Sequence, residues 1–224
     1  PFALAPFIAA QERRAQRTED WETHRNLAQL YGALGRTPDA WRAWQAAAAH
    51  PASPEPALAG LGKTLLAMDA PAEAAEVFQR LCERAPWRAD VYAGLGQAHA
   101  ALDEPEAAAR AFAEATALAP RTPRLYFDWA QMWRDAGNMD AAHEVLSAGL
   151  AANPEAAGLY AALGAVHAEQ SCWRAAEQAL ACAVALAPDD DEFRRAHAKA
   201  AARAGTGAAT CPAPPPCAAL ATSP

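Results

Sequence analysis

Apolar residues recur along this chain at helical spacing, and the helices themselves recur. Tyr92, Leu95, Gly96 and His99 stand at i, i+3, i+4 and i+7, one face of a helix. A shift of 34 residues superimposes this pattern on His24, Leu27, Ala28 and Tyr31, and again on Leu58, Leu61, Gly62 and Leu65. It recurs as Tyr126, Trp129, Ala130 and Trp133, and as Tyr160, Leu163, Gly164 and His167. A second set of columns follows: Ala40, Ala74, Ala108, Ala142 and Ala176, then Trp44, Phe78, Phe112, Leu146 and Leu180 four residues later. The pattern predicts two helices, A and B, in each copy.

Turn residues mark the boundaries. Gly35, Asp69, Asp103, Gly137 and Ser171 share the column that ends helix A. Glycine takes the left-handed cap conformation freely, and an aspartate does so less easily. Pro38, Pro71 and Pro105 stand in the first turn of B, where a missing N–H costs nothing. Pro86, Pro120, Pro154 and Pro188 stop B, with Pro51 one place early in the first copy. The small column Ala28, Gly62, Gly96, Ala130 and Gly164 lets B approach A closely, so Gly96→Leu is expected to unstack the array locally. A unit that cannot bury its apolar face without a neighbour, repeated at one period, is the mark of a solenoid.

These columns resemble the tetratricopeptide repeat over roughly Trp21 to Pro188. The resemblance implies an all-α, right-handed superhelical solenoid of antiparallel helix pairs. The expected organisation is an N-terminal capping helix within 1–20, starting near Pro6, and repeats at 21–54, 55–88, 89–122, 123–156 and 157–188. A C-terminal capping helix then covers 189–205, and a disordered Pro/Ala-rich tail 206–224.

Composition narrows the picture a little. Hydrophobic residues make up 53% of 224, enough for a core if copies stack. No apolar run is long enough to cross a membrane, so no membrane insertion is expected. A net charge of -7 argues against nucleic acid as partner. Cys82, Cys172 and Cys182 fall inside predicted helices or their turn and read as buried thiols. Cys211 and Cys217 flank Pro-Ala-Pro-Pro-Pro in the tail, where a disulfide or an intermolecular bridge is an open alternative.

The face of helix A turned away from B is the candidate binding surface, and the resemblance makes it the lining of a concave groove. Counting from Trp21, Glu55, Ala89, Pro123 and Ala157, that face takes places two, five, nine, twelve and thirteen. The residues singled out are Arg25, Gln29, Lys63, Gln97, Arg124, Phe127, Gln131 and Arg134, with Arg195 and Lys199 from the capping helix. Gln29, Lys63, Gln97, Gln131 and Lys199 share one place and form a polar row interrupted at Ala165. Arginines and an aromatic concentrate in the fourth copy, as binding hot spots do, so the C-terminal end is expected to be less acidic and to receive an acidic segment.

Chemistry finds little foothold. The histidines at core places read as satisfied packing groups, and no phosphate loop, G-x-S-x-G or H-E-x-x-H is present. No cofactor and no metal is expected. The Lys and Asn of the family's carboxylate clamp are replaced by Asp90 and Gly94, and the places of the asparagine row of its glycosyltransferases hold Asn26, Gly60, Gly94, Asp128 and Ala162, so that resemblance fails. The resulting expectation is a non-enzymatic scaffold that binds an acidic or helical segment of a partner protein or peptide. Two alternatives stand beside it: the substrate-recruiting region of a larger enzyme such as a glycosyltransferase or sulfotransferase, and self-association through Phe2, Phe7 and Ile8 at the N-terminal edge. The compartment is left open.

Overall fold

The structure is a computed structural model and describes residues 5–15, 17, 20–50, 55–205 and 211–217. The described residues form helices and no strand. They are α1 (Ala5–Ala15), α2 (Trp21–Ala33), α3 (Thr37–Ala48), α4 (Glu55–Ala67), α5 (Pro71–Arg84) and α6 (Ala89–Ala101), followed by α7 (Pro105–Leu118), α8 (Pro123–Asp135), α9 (Met139–Ala152), α10 (Ala157–Glu169), α11 (Trp173–Leu186) and α12 (Asp191–Ala201). Helix A of each repeat is α2, α4, α6, α8 and α10, and B is the helix after it. The chain divides into two compact parts, Pro1–Ala107 and Ala108–Pro224.

The A-to-B turn is the same in all five repeats. Gly35, Asp69, Asp103, Gly137 and Ser171 all have positive φ, from 58° to 75°. In each turn the following N–H closes back on the eleventh residue of helix A, as in Arg36 N to Tyr31 O at 2.9 Å and Cys172 N to His167 O at 2.8 Å. That bond satisfies a carbonyl the helix end would otherwise orphan. It holds the three non-glycine residues in a conformation that costs about 1 kcal/mol each.

In the N-terminal part the aromatic residues of helix B set the spacing. Phe78 is fully buried between two glycines: a Cβ at Gly62 would stand 2.7 Å from its ring, and one at Gly94 2.4 Å. Trp44 likewise fills the space beside Gly60. The small column of helix A therefore acts together with a second small position in the next repeat, two places earlier. Tyr31 donates to the carboxylate of Glu12 at 2.5 Å and so ties α1 to α2. Burial first, then this bond, pushes the Tyr31 hydroxyl up to about 12. Phe7 is exposed and Ile8 packs on the α2–α3 core, while Phe2 lies outside the described residues.

Helix A is buried on two sides, whereas the sequence pattern predicts one. Thr23, Ala57, Val91, Leu125 and Leu159, all at place three, are buried, as are Thr64, Ala98, Met132 and Val166 at place ten. The reason is stacking: α4 packs on α3, α6 on α5 and α10 on α9, so the B helix of the preceding repeat needs an apolar face of its own. His24, Leu58 and Tyr92, placed in the core by sequence, are only partly covered.

The C-terminal part packs Tyr126, Leu146, Leu159, Tyr160, Leu163, Val166, Cys182 and Cys217 into one core. Its tail corrects the expectation of disorder over residues 211–217. Cys211 is bridged to Cys172 with Cα atoms 5.8 Å apart, Tyr160 donates to the carbonyl of Pro216 at 3.3 Å, and Cys217 is buried. Cys172 is thus half of a disulfide and not an idle thiol. Residues 206–210 and 218–224 lie outside the described ones.

Candidate functional site

A cavity of about 770 Å³ opens in the C-terminal part between α8, α10, α11 and α12. From α10 it takes Ala161, Ala165, Ala168 and Glu169, places five, nine, twelve and thirteen, and from α8 it takes Phe127 and Arg134, places five and twelve. Gly158, Ala162 and Gly164 of α10 line it as well, and Gly164 belongs to the small column that faces helix B, so the hollow takes in that column together with the face turned away from B. Alanines make it wide, because a methyl group leaves the volume a longer side chain would fill. Trp173 and Leu180 of α11 and Phe193 and Ala196 of α12 supply the apolar wall, and Lys199 stands at its edge.

The fourth-repeat cluster is an intramolecular network. Arg134 donates to Glu169 and to Gln131 Oε1, the second at 2.8 Å. Gln131 donates in turn to Asp135 at 2.7 Å, which draws it off the polar row. Arg124 donates to Asp128 Oδ1 at 2.6 Å and sits 5.6 Å from the centre of the Phe127 ring, within cation–π range. The lining is not basic: Arg134 and Lys199 face Glu169, Asp190 and Glu192. Asp190 is there because it caps α12, accepting from Glu192 N at 2.9 Å and Phe193 N at 3.1 Å.

The other singled-out residues are not gathered at this cavity. Arg195 is exposed and donates to Asp191 O at 3.1 Å along its own helix. In the N-terminal part Arg25 donates to Asn26 Oδ1 and lies over the Trp21 ring at 5.1 Å. Gln29, Lys63 and Gln97 are exposed. Asp90 is held below the usual carboxylate range first by its hydrogen bond from Arg88, with Lys63 adding a smaller attraction. Sequence reading missed Trp173, Leu180 and Phe193. Phe193 was legible, since it continues the apolar place-three column that ends in Leu125 and Leu159.

A second departure lies on α10, away from the cavity lining. His167 is fully buried, and neither of its ring nitrogens has a partner among the described residues. Its ring meets His143 edge-on at 5.2 Å between centroids. Burial first, then the neighbouring imidazole, lowers its pKa to about 4. The expectation of satisfied histidines fails here, while His99 is paired with Glu104 at 2.7 Å.

Fold and cavity together define an all-α repeat protein whose helix pairs present a small-residue face. The tetratricopeptide repeat family model matches residues 89–122, and the chain has the fold of tetratricopeptide repeat proteins. It is similar in structure to TTC0263, a protein of this class from the thermophile Thermus thermophilus, at 23% identity over 82% of this chain and 100% of that one, TM-score 0.62. It is also similar to YrrB, described as having an unusual peptide-binding site, at 21% identity over 85% of this chain and 97% of that one, TM-score 0.57. A third similarity is to the APC/C hetero-tetramer Cut9–Hcn1, at 18% identity over 85% of this chain and 38% of that one, TM-score 0.62. No curated protein sequence matches the chain.

Proposed function

We propose that this protein is a non-enzymatic scaffold that holds a peptide or helix of a partner protein, and that the cavity between α8, α10, α11 and α12 receives one large apolar side chain of that segment. The carrying observation is the lining: Ala161, Ala165 and Ala168 at places five, nine and twelve of α10, beside Phe127, Trp173 and Phe193. An apolar hollow with a few charges at its rim buries an anchor residue and leaves the flanking chain to pair with those charges. Similarity to a repeat protein described by its peptide-binding site, and to one in a hetero-tetramer, supports the same reading.

The charge at the rim refines the guest. Arg124 and Arg134 are already held by Asp128 and Glu169, so an acidic segment would have to displace those carboxylates. A segment with an apolar anchor and charges of both signs beside it fits Lys199 on one side and Glu192 on the other. The test is selection of peptides from a displayed library on the whole chain, followed by titration against wild type and Ala165→Trp. The tryptophan fills the cavity and leaves Arg124 and Arg134 in the sequence. Selected peptides should share a large apolar residue and lose about tenfold or more in affinity, as loss of a hot-spot contact does. Equal binding by both proteins would remove the cavity from the function.

A further inference from the structure

The buried thiols of the C-terminal part play no role in the binding cavity. Cys217 is 7% exposed although its segment is irregular and proline-rich, and Cys182 on α11 is 4% exposed. Both belong to the same core cluster, and both line a separate hollow of about 480 Å³ with Pro214, Pro215 and Pro216. This hollow shares no residue with the binding cavity.

The spacing of the segment explains the meeting. Cys172 caps α11 at its start and is bridged to Cys211. Ten helical residues separate Cys172 from Cys182, about 15 Å at the rise of an α-helix. Six residues separate Cys211 from Cys217, and a proline-rich chain rising about 3.1 Å per residue covers about 19 Å. The two spans agree to within about one residue, so the bridge at one end delivers Cys217 to Cys182 at the other. The hydrogen bond from Tyr160 to Pro216 holds the segment one residue before that point.

We propose that Cys182 and Cys217 are a redox-active dithiol that closes to a second disulfide, fastening residues 211–217 along α11 at both ends. The reaction is thiol–disulfide exchange with a low-molecular-weight disulfide such as glutathione disulfide. One cysteine thiolate attacks a glutathione sulfur, forming a mixed disulfide and expelling glutathione thiolate. The other cysteine thiolate then attacks the protein sulfur of the mixed disulfide and expels the second glutathione. Two electrons pass to the glutathione pair, and the two thiol protons end on the released glutathione. Burial, and then the hydrogen bond between the two thiols, pushes the Cys182 thiol up to about 12, so closure is slow and accelerates with pH.

The experiment incubates the whole chain with glutathione disulfide, quenches by acid, alkylates under denaturing conditions and maps peptides without reduction. The free thiols are Cys82, Cys182 and Cys217. The expected result is a Cys182–Cys217 linked peptide with only Cys82 still alkylated. Retention of all three thiols, a persistent glutathione adduct on either cysteine, or a link from Cys217 to any other residue overturns the proposal. A Cys172→Ser, Cys211→Ser chain, shown folded by circular dichroism, should close about tenfold more slowly, because the first bridge supplies effective concentration for the second. An unchanged rate would sink the register argument.

Discussion

The two compact parts follow one 34-residue plan yet bury different chemistry. In the N-terminal part the buried polar side chains are partnered: Thr23 with Asp20 at 2.9 Å, Thr64 with the carbonyl of Gly60 at 2.9 Å. In the C-terminal part Trp129 Nε1, Arg134 Nε, His143 Nε2, Ser147 Oγ, Gln170 Oε1 and both nitrogens of His167 are buried with no partner among the described residues. The first part is organised by rings seated on glycines, which costs nothing beyond helix propensity. The second carries unpartnered polar atoms, a cavity and a bridged tail. Departures from ideal packing concentrate where function resides, so the contrast itself supports putting the guest in the second part.

The contrast breaks most sharply at Gly94. A leucine there would meet the Phe78 ring from a Cβ only 2.4 Å away, and that ring is fully buried and cannot swing out. Gly94→Leu should cost about 3 kcal/mol, seen as a lower denaturant midpoint, and should be relieved in a Gly94→Leu, Phe78→Leu chain. The same place in the fifth repeat holds Ala162, and there the preceding helix B carries Leu146 in place of a phenylalanine. A cost below about 1 kcal/mol would mean that the ring does not set the helix spacing.

His167 tests the other side of the comparison. Its folded pKa lies below its unfolded value of 6.5, so folding favours the neutral ring. The stability it contributes is present above pH 6.5 and is lost as pH falls from there toward about 4. Between pH 8 and 5 this amounts to about 2 kcal/mol, read as a falling unfolding midpoint. His167→Leu, which copies Leu65 at the matching place of the second repeat, should flatten that dependence. An equal acid sensitivity in both chains would assign it to other groups.

The period of 34, the alternation of A and B and the left-handed turn column were legible because each rests on residues close in sequence. The outward face of α10 was legible too, since helical geometry alone fixes it. What stayed hidden depended on neighbours. Place three is buried by the previous repeat, which a single-repeat face cannot reveal. Arg134 loses its free charge to Glu169, 35 residues on, although both already belonged to the same outward face. The Cys172–Cys211 pairing was out of reach because five cysteines allow many connectivities, and composition alone made the prolines around it look like a linker.

The smallest expected effect bears on how the second part keeps its tail. The Tyr160 ring is core, and its hydroxyl meets the tail at the carbonyl of Pro216 and at the Cys217 thiol. Tyr160→Phe keeps the packing and removes the neutral hydrogen bonding of that hydroxyl to the tail, worth about 1 kcal/mol. If that bonding holds the tail, the loss falls on local opening of residues 211–217 and not on global unfolding. The unfolding midpoint should then barely move, while native-state alkylation of Cys217 accelerates about fivefold, the factor corresponding to about 1 kcal/mol. A matching acceleration at Cys82, which lies in the N-terminal part, would signal general destabilisation. Acceleration confined to Cys217 means that the tail opens as a separate unit, and such a unit can be locked by a second disulfide without altering the repeats beneath it.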